Sequence, residues 1–340
     1  MPGLQETSSA GQGAKIALRP AASQGPCLQA ALPVPTIAAS PLFAAILLNL
    51  GGILLALLLA APAHAAPELQ LPGAIAGQAS AGRESWQTLE PGLEMAEFRL
   101  PDSESRLTAL RIDPEYFDFV LCAASANGSQ PATLGEWGSK EGLSAAINAS
   151  MYLPDNLTST GYMRSGSHVN NGRIMDRFGA FFVSGPRKDG LPKAQILDRD
   201  NQNWRELLED YDTVVQNYRM TNSQRRILWS PGGPNYSISA VAQDGSGKIL
   251  FLHSRLPLEA YSFVQQLLHL PIDARTIMYV EGGAQAGLLV HSGDMKRELS
   301  GLHAPSFLVT GNMKARLPNV LGIRPRKHKP VFAGVENPVN

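Results

Sequence analysis

The 340-residue chain is 44% hydrophobic and 17% charged, which excludes disorder throughout and allows one large or two smaller domains without disulfide or metal staples. With 29 Lys and Arg against 29 Asp and Glu, it lacks the cationic field that nucleic-acid and polybasic membrane binders rely on, so no nucleic-acid partner is expected.

Residues 1–40 are rich in Ala, Ser, Gly, Pro and Gln, a composition that builds no core and reads as a disordered extension. Within residues 41–65, an uncharged run from Pro41 to Ala63 leads into Ala63-His64-Ala65, the small-x-small pattern of a signal-peptide cleavage site. The run is also long enough to cross a bilayer, so the segment is read as a signal peptide or as an uncleaved anchor. Either reading predicts export to the periplasm, and the second adds association with the inner membrane through residues 41–63. Residues 66–85 have the Pro, Gly, Ala and Ser content of a linker, the folded domain is expected over 86–323, and 324–340 form a basic, Pro-containing tail.

Within the domain, short apolar runs such as FDFVLCA, GAFFVSG, KILFLHS and TIMYVE alternate with turn residues and read as strands. Asp244-Gly245-Ser246-Gly247 is a hairpin signal. Helices are expected at about Ala132–Lys140, at about Asn203–Leu208 and, most clearly, from Pro257 to about His269, where Tyr261, Val264, Leu267 and Leu268 form an apolar stripe. Many strands, few helices and at least one strand-helix-strand unit predict an α+β single domain with a mixed, largely antiparallel β-sheet flanked by a few helices. Of the two cysteines, Cys27 falls in the leader, and Cys122 sits in an apolar strand as an inert buried thiol.

The chain has no G-x-S-x-G, H-E-x-x-H, C-x-x-C or G-x-G-x-x-G motif, and its histidines are scattered, so neither metal nor cofactor is expected. Two polar segments follow apolar strands, where a rigid scaffold mounts functional groups. The first runs from Asn148-Ala149-Ser150-Met151-Tyr152-Leu153-Pro154-Asp155 through Gly161-Tyr162-Met163-Arg164 to His168, Asn170 and Asn171. The second is Val280-Glu281-Gly282-Gly283-Ala284-Gln285, a carboxylate at the end of a buried strand with two glycines that let a backbone approach a ligand or take positive φ. On pattern alone, Glu281 is equally a turn-capping carboxylate.

The order of Ile-Asn-x-x-Met-Tyr-x-Pro-Asp, Gly-Tyr, Phe-Gly-Ala-Phe, Val-Gln-Asn, an Asp-Gly strand pair, a helix and strand-acid-Gly-Gly resembles the phosphodiester glycosidase family over roughly Leu93 to Val309. In that resemblance Asn148 to Tyr152 stand at an Asn-Gly-Gly-Phe-Phe motif. Gln216-Asn217-Tyr218-Arg219 stand at a Gln-Ser-Gly-Pro-like segment, and Val280 to Ala284 at Leu-Asp-Gly-Gly with Glu281 for the aspartate. Asn235-Tyr236-Ser237 lie where members usually carry an Arg.

The resemblance implies hydrolysis of a sugar C1–O–phosphate bond in an envelope or extracellular glycoconjugate, with a carbohydrate phosphodiester as partner. In that reading Glu281 is the catalytic carboxylate, Asp155 the acid/base or water-orienting partner, and Asn148 with Gln216 hydrogen-bond sugar hydroxyls. Arg164 and His168 are candidates for the phosphate, with loop-stabilising hydrogen bonds as their equal alternative. Asn170, Gly282 and Gly283 complete the binding set, and Tyr152 stacks on a sugar or packs in the core. The competing class is a non-catalytic binder of a phosphorylated envelope glycan on the same scaffold, motivated by Glu281 and the missing Arg.

Overall fold

A computed structural model describes residues 85–327, apart from 127, 129, 201, 202 and 303–313. The expected disordered extension, the signal or anchor segment, nearly all of the linker and most of the tail lie outside the described residues. Chain order begins with β1 (Gln87–Glu90), β2 (Leu93–Arg99), β3 (Arg106–Ile112), β4 (Phe117–Ala123), α1 (Leu134–Glu141) and β5 (Ala145–Asn148). It continues with β6 (Met163–Ser165), β7 (His168–Asn171), β8 (Ala180–Pro186), β9 (Ala194–Asp198), α2 (Trp204–Glu209) and β10 (Tyr211–Arg219). The last elements are β11 (Asn235–Asp244), β12 (Ile249–Glu259), α3 (Ala260–Leu267), β13 (Ala274–Gly282), β14 (Gly287–Ser292), β15 (Met295–Ser300) and β16 (Asn319–Pro325).

The strands form two sheets. The larger runs β1-β2-β3-β12-β11-β13-β10-β6-β7, with β8 and β9 branching from β10, and the smaller runs β15-β14-β5-β16-β4. Every strand pairing among the described residues is antiparallel, so the protein is mainly β and its sheets are not mixed. The expected strand-helix-strand unit exists as β12-α3-β13. However, β11 inserts between those two strands and pairs antiparallel with both, so the parallel neighbours it implied never meet.

Alternation along the strands sets four layers. Leu110, Val241, Phe251 and Met278 from the large sheet meet Leu121, Ile147, Leu288 and Leu321 from the small one. The outer face of the large sheet, with Ala240, Leu250 and Leu252, is covered by Phe263, Val264 and Leu267 of α3. The outer face of the small sheet, with Ala146, Leu289 and Val320, is covered by Trp137 of α1. Both faces of β5 are therefore buried, which is why it reads as Ala-Ala-Ile without polar alternation.

The helix ends follow from local chemistry. Thr133 caps α1 in a full capping box with Glu136, and Gly142 closes it in the left-handed conformation (φ 61°). Helix α3 starts later than its sequence suggests, because Pro257 and Leu258 extend β12 and Glu259 takes the N-cap. Asp244 accepts the backbone N–H groups of Ser246 and Lys248 and closes the β11–β12 hairpin. Cys122 lies under α1, and burial pushes its thiol up to about 12, so it stays protonated and inert.

Candidate functional site

The register of β11 against β13 slips by one residue between Ser239 and Ala240, so that Val280 and Glu281 both stand opposite Ser239. Such a bulge bends the strand and re-aims the side chains that follow it. Glu281 is 9% exposed and accepts the Gly282 N–H at 2.9 Å. No cation lies within ion-pair distance among the described residues. Burial raises its carboxyl to about 7, partly offset by that backbone hydrogen bond. A carboxyl left without a positive partner in a buried setting is a feature that active sites have and packing does not need.

The turn after Glu281 is locked from both sides. Gly283 takes a left-handed conformation (φ 68°). Asn148 donates to the Gln285 carbonyl at 2.9 Å and accepts the Gly287 N–H at 2.8 Å, while Ser239 donates to the Gly287 carbonyl at 3.2 Å. Ser239 also pairs with Nδ1 of His253 at 3.1 Å, and burial pulls that imidazole down to about 3, so it is neutral. Tyr152 is half-buried, hydrogen-bonds Gln285 and feels the Glu281 charge; burial, more than that charge, raises its hydroxyl. Asn148 thus does sit in the site, but its amide orders the Glu281 turn and is not turned to a sugar.

Other expected ligand groups are occupied by backbone. Gln216 donates to the carbonyls of Met175 (2.8 Å) and Phe178 (2.9 Å) and accepts the N–H groups of Met175 (2.9 Å) and Tyr162 (3.3 Å), which fills its amide. Arg164 is buried and donates to the carbonyls of Leu208, in the last turn of α2, and Tyr211, just beyond it, and it does not line the cleft described below. His168 meets the Ser125 hydroxyl at 3.0 Å. Asn170 donates to the same hydroxyl and to the Leu157 carbonyl and accepts the Ser159 N–H. Those two therefore brace the loop that follows Tyr152. Asp155 sits at that loop's exposed tip, accepts N–H groups of Leu157 and Thr158, and is held low by its hydrogen bonds to Thr158. It borders a separate depression with Arg316 and is not paired with Glu281.

A cleft of about 910 Å³ opens beside the Glu281 turn, lined by the two tyrosines, Tyr236 and Tyr279, that pack on Gly282. One wall is aromatic: Tyr218 and Trp229 have ring centroids 5.9 Å apart, Trp229 and Tyr279 5.4 Å, and Tyr279 and Tyr236 6.2 Å. Tyr279 stands two residues before Glu281 on β13 and its hydroxyl pairs with that of Tyr236. Three guanidinium groups also line the cleft. Arg199 is paired with Asp176 at 3.0 Å, and Arg219 with both Asp198 and Asp200. Arg177 is exposed and lies 5.4 Å over the Phe178 ring and 5.6 Å over Tyr218, with no carboxylate partner among the described residues. It is the uncompensated cation of the cleft.

These cleft residues were not legible as a group. Tyr279 reads as one apolar residue of a strand, and Arg177, Trp229 and Tyr236 lie far apart in sequence. The one available signal was the unusual position of Tyr236, where the resembled family carries an Arg. Among the described residues no three His, Cys, Asp or Glu side chains are placed to share a metal ion.

The phosphodiester glycosidase family matches residues 141–324, more than half of the chain. No curated protein matches. Among solved structures, a hypothetical protein from Synechocystis is similar with a TM-score of 0.51 at 14% identity, covering 73% of this chain. This chain spans 65% of that protein's length, and the likeness is one of fold. The catalytic domain of zebrafish N-acetylglucosamine-1-phosphodiester alpha-N-acetylglucosaminidase, auto-inhibited by its pro-peptide, aligns with a TM-score of 0.47 at 13% identity over 71% of this chain and 86% of that one.

Proposed function

This chain belongs to the phosphodiester glycosidase family, and from that premise we propose that it hydrolyses the C1–O bond of a sugar 1-phosphodiester. The observation that carries the proposal is Glu281, a buried carboxyl with no cation beside it among the described residues, raised to about 7, near the end of a bulged strand beside an aromatic and cationic cleft. In its ionised form Glu281 stabilises or attacks the developing oxocarbenium at C1. Water adds to C1, the C1–O bonding pair leaves with the phosphate, and the products are a reducing sugar and a phosphate monoester. The phosphate departs as a stabilised anion, so the reaction places little demand on a second carboxyl as acid, in keeping with Asp155 being engaged elsewhere.

Arg177 is assigned to the phosphate, because a guanidinium without a carboxylate partner offers its fork to phosphate oxygens. The substrate is placed outside the cytoplasm, in the envelope or beyond it, on the strength of the apolar run 41–63. A sugar 1-phosphodiester with a chromogenic aglycone tests the reading, with an added phosphomonoesterase that frees the chromophore from the aglycone phosphate. Wild type should release the aglycone phosphate, and Glu281→Gln should lower kcat by about 10²-fold or more, the scale of a lost catalytic carboxyl. Saturable binding without release by either protein would favour a glycan-phosphate binder on the same scaffold.

A further inference from the structure

The end of the cleft next to Glu281 is built differently from the end at Arg177. Tyr236 and Tyr279 line it, their rings are 6.2 Å apart, and neither brings a cation. Gly282 is what admits them. Its φ of −136° is ordinary extended backbone, so no conformational demand requires glycine there. A Cβ at 282, however, would overlap the Tyr279 hydroxyl and come within 2.9 Å of the Tyr236 ring. The glycine that follows the acid is therefore a glycine of close approach, and the group approaching is a tyrosine pair.

We propose that Tyr236, positioned by Tyr279 over Gly282, is the hydrogen-bond donor that recognises a sugar hydroxyl beside Glu281. The assignment deepens the hydrolase reading above and rests on the same cleft. One hydroxyl of the pair donates to the other; Tyr279 is buried and Tyr236 lies half in the cleft, so the arrangement that satisfies the more buried hydroxyl has Tyr279 donating, and burial raises both, which stay neutral at physiological pH. Tyr236 keeps its own proton, and its half-buried hydroxyl is left to donate into the cleft. A phosphate at this end would face the Glu281 charge with no compensating cation among the described residues, whereas a neutral donor beside the rings of Trp229 and Tyr279 suits a sugar ring, with its hydroxyls and apolar C–H face. The phosphate then falls toward Arg177, which lines the same cleft. The two ends divide the substrate into glycone and phosphate.

Calorimetry on the full chain tests this division, with methyl phosphate and the 1-phosphates of glucose, galactose, mannose and N-acetylglucosamine as probes. At least one sugar 1-phosphate should bind wild type more tightly than methyl phosphate. Tyr236→Phe should weaken that sugar phosphate by roughly 3- to 10-fold, the range for one lost hydrogen bond, and leave methyl phosphate unchanged. Gly282→Ala, which removes neither hydroxyl but pushes the pair aside through its Cβ, should produce the same selective loss, with thermal unfolding confirming that both variants are folded. No preference for any sugar 1-phosphate, or a loss in Tyr236→Phe that is absent or equal for methyl phosphate, overturns the assignment. Sugar preference that depends on Tyr236 in a protein that never cleaves a diester would sink the hydrolase reading and leave the tyrosine assignment standing.

Discussion

A carboxyl raised to about 7 is a statement about stability as well as about chemistry. In the unfolded chain Glu281 titrates near the ordinary glutamate value of about 4.3, so between that pH and about 7 the folded state holds a proton that the unfolded state has released. This group's contribution is therefore fully present below about pH 4 and is lost as pH rises through about 7, a change on the order of 3 kcal/mol. Glu281→Gln removes the titration, so its melting temperature should exceed that of wild type by more at pH 8 than at pH 5. An equal difference at both values would mean that the carboxyl is not buried as described. If the ionised form does the chemistry, kcat/KM of wild type should rise with pH through about 7 and then level off. Asp155 has the opposite character, an exposed carboxylate held ionised by turn hydrogen bonds, so Asp155→Asn should leave turnover within about 2-fold while loosening the loop.

Elements deliver these residues through devices of different visibility. The Asp-Gly hairpin, the α1 region and the strand that carries Glu281 all have local signals, and each is present. The slip that places Val280 and Glu281 together opposite Ser239 has none, because it depends on how β11 pairs with β13 across more than thirty residues of chain. The amide residues show the same limit. Asn148 and Gln216 were visible as polar groups at buried strand positions, but a side-chain amide that binds sugar and one that binds backbone look alike in sequence, and here both bind backbone. Asn148→Ala should leave the Gly287 N–H and the Gln285 carbonyl without their partner and cost about 2–5 kcal/mol, read as a lower urea midpoint. Gly161 is a second close-approach glycine: a Cβ there would overlap the Gln216 carbonyl and come within 2.8 Å of the Phe178 ring, so Gly161→Ala should destabilise by about 1–3 kcal/mol.

On the scale of the molecule, two antiparallel sheets face each other with a helix on each outer side, and the cleft opens where β10, β11 and β13 run out. The strand count pointed to a β-rich domain. The split into two sheets did not show, since period-two alternation looks the same whether a strand's second face meets a helix or another sheet. For the same reason Tyr218, Trp229, Tyr236, Tyr279 and Arg177 become one surface only after folding. The charge pattern of that surface predicts its salt response: Arg177→Ala should weaken methyl phosphate binding by about 10-fold at low ionic strength and by less as salt screens the pair.

Hydrolysis in ¹⁸O-enriched water reads directly which bond of the diester breaks. Cleavage at C1–O places the label in the anomeric hydroxyl of the released sugar and none in the phosphate monoester, which is the outcome expected of Glu281 acting at the anomeric carbon. Label in the phosphate would show water attacking phosphorus, and would contradict a glycosidase mechanism even if the diester is cleaved and Glu281 is required.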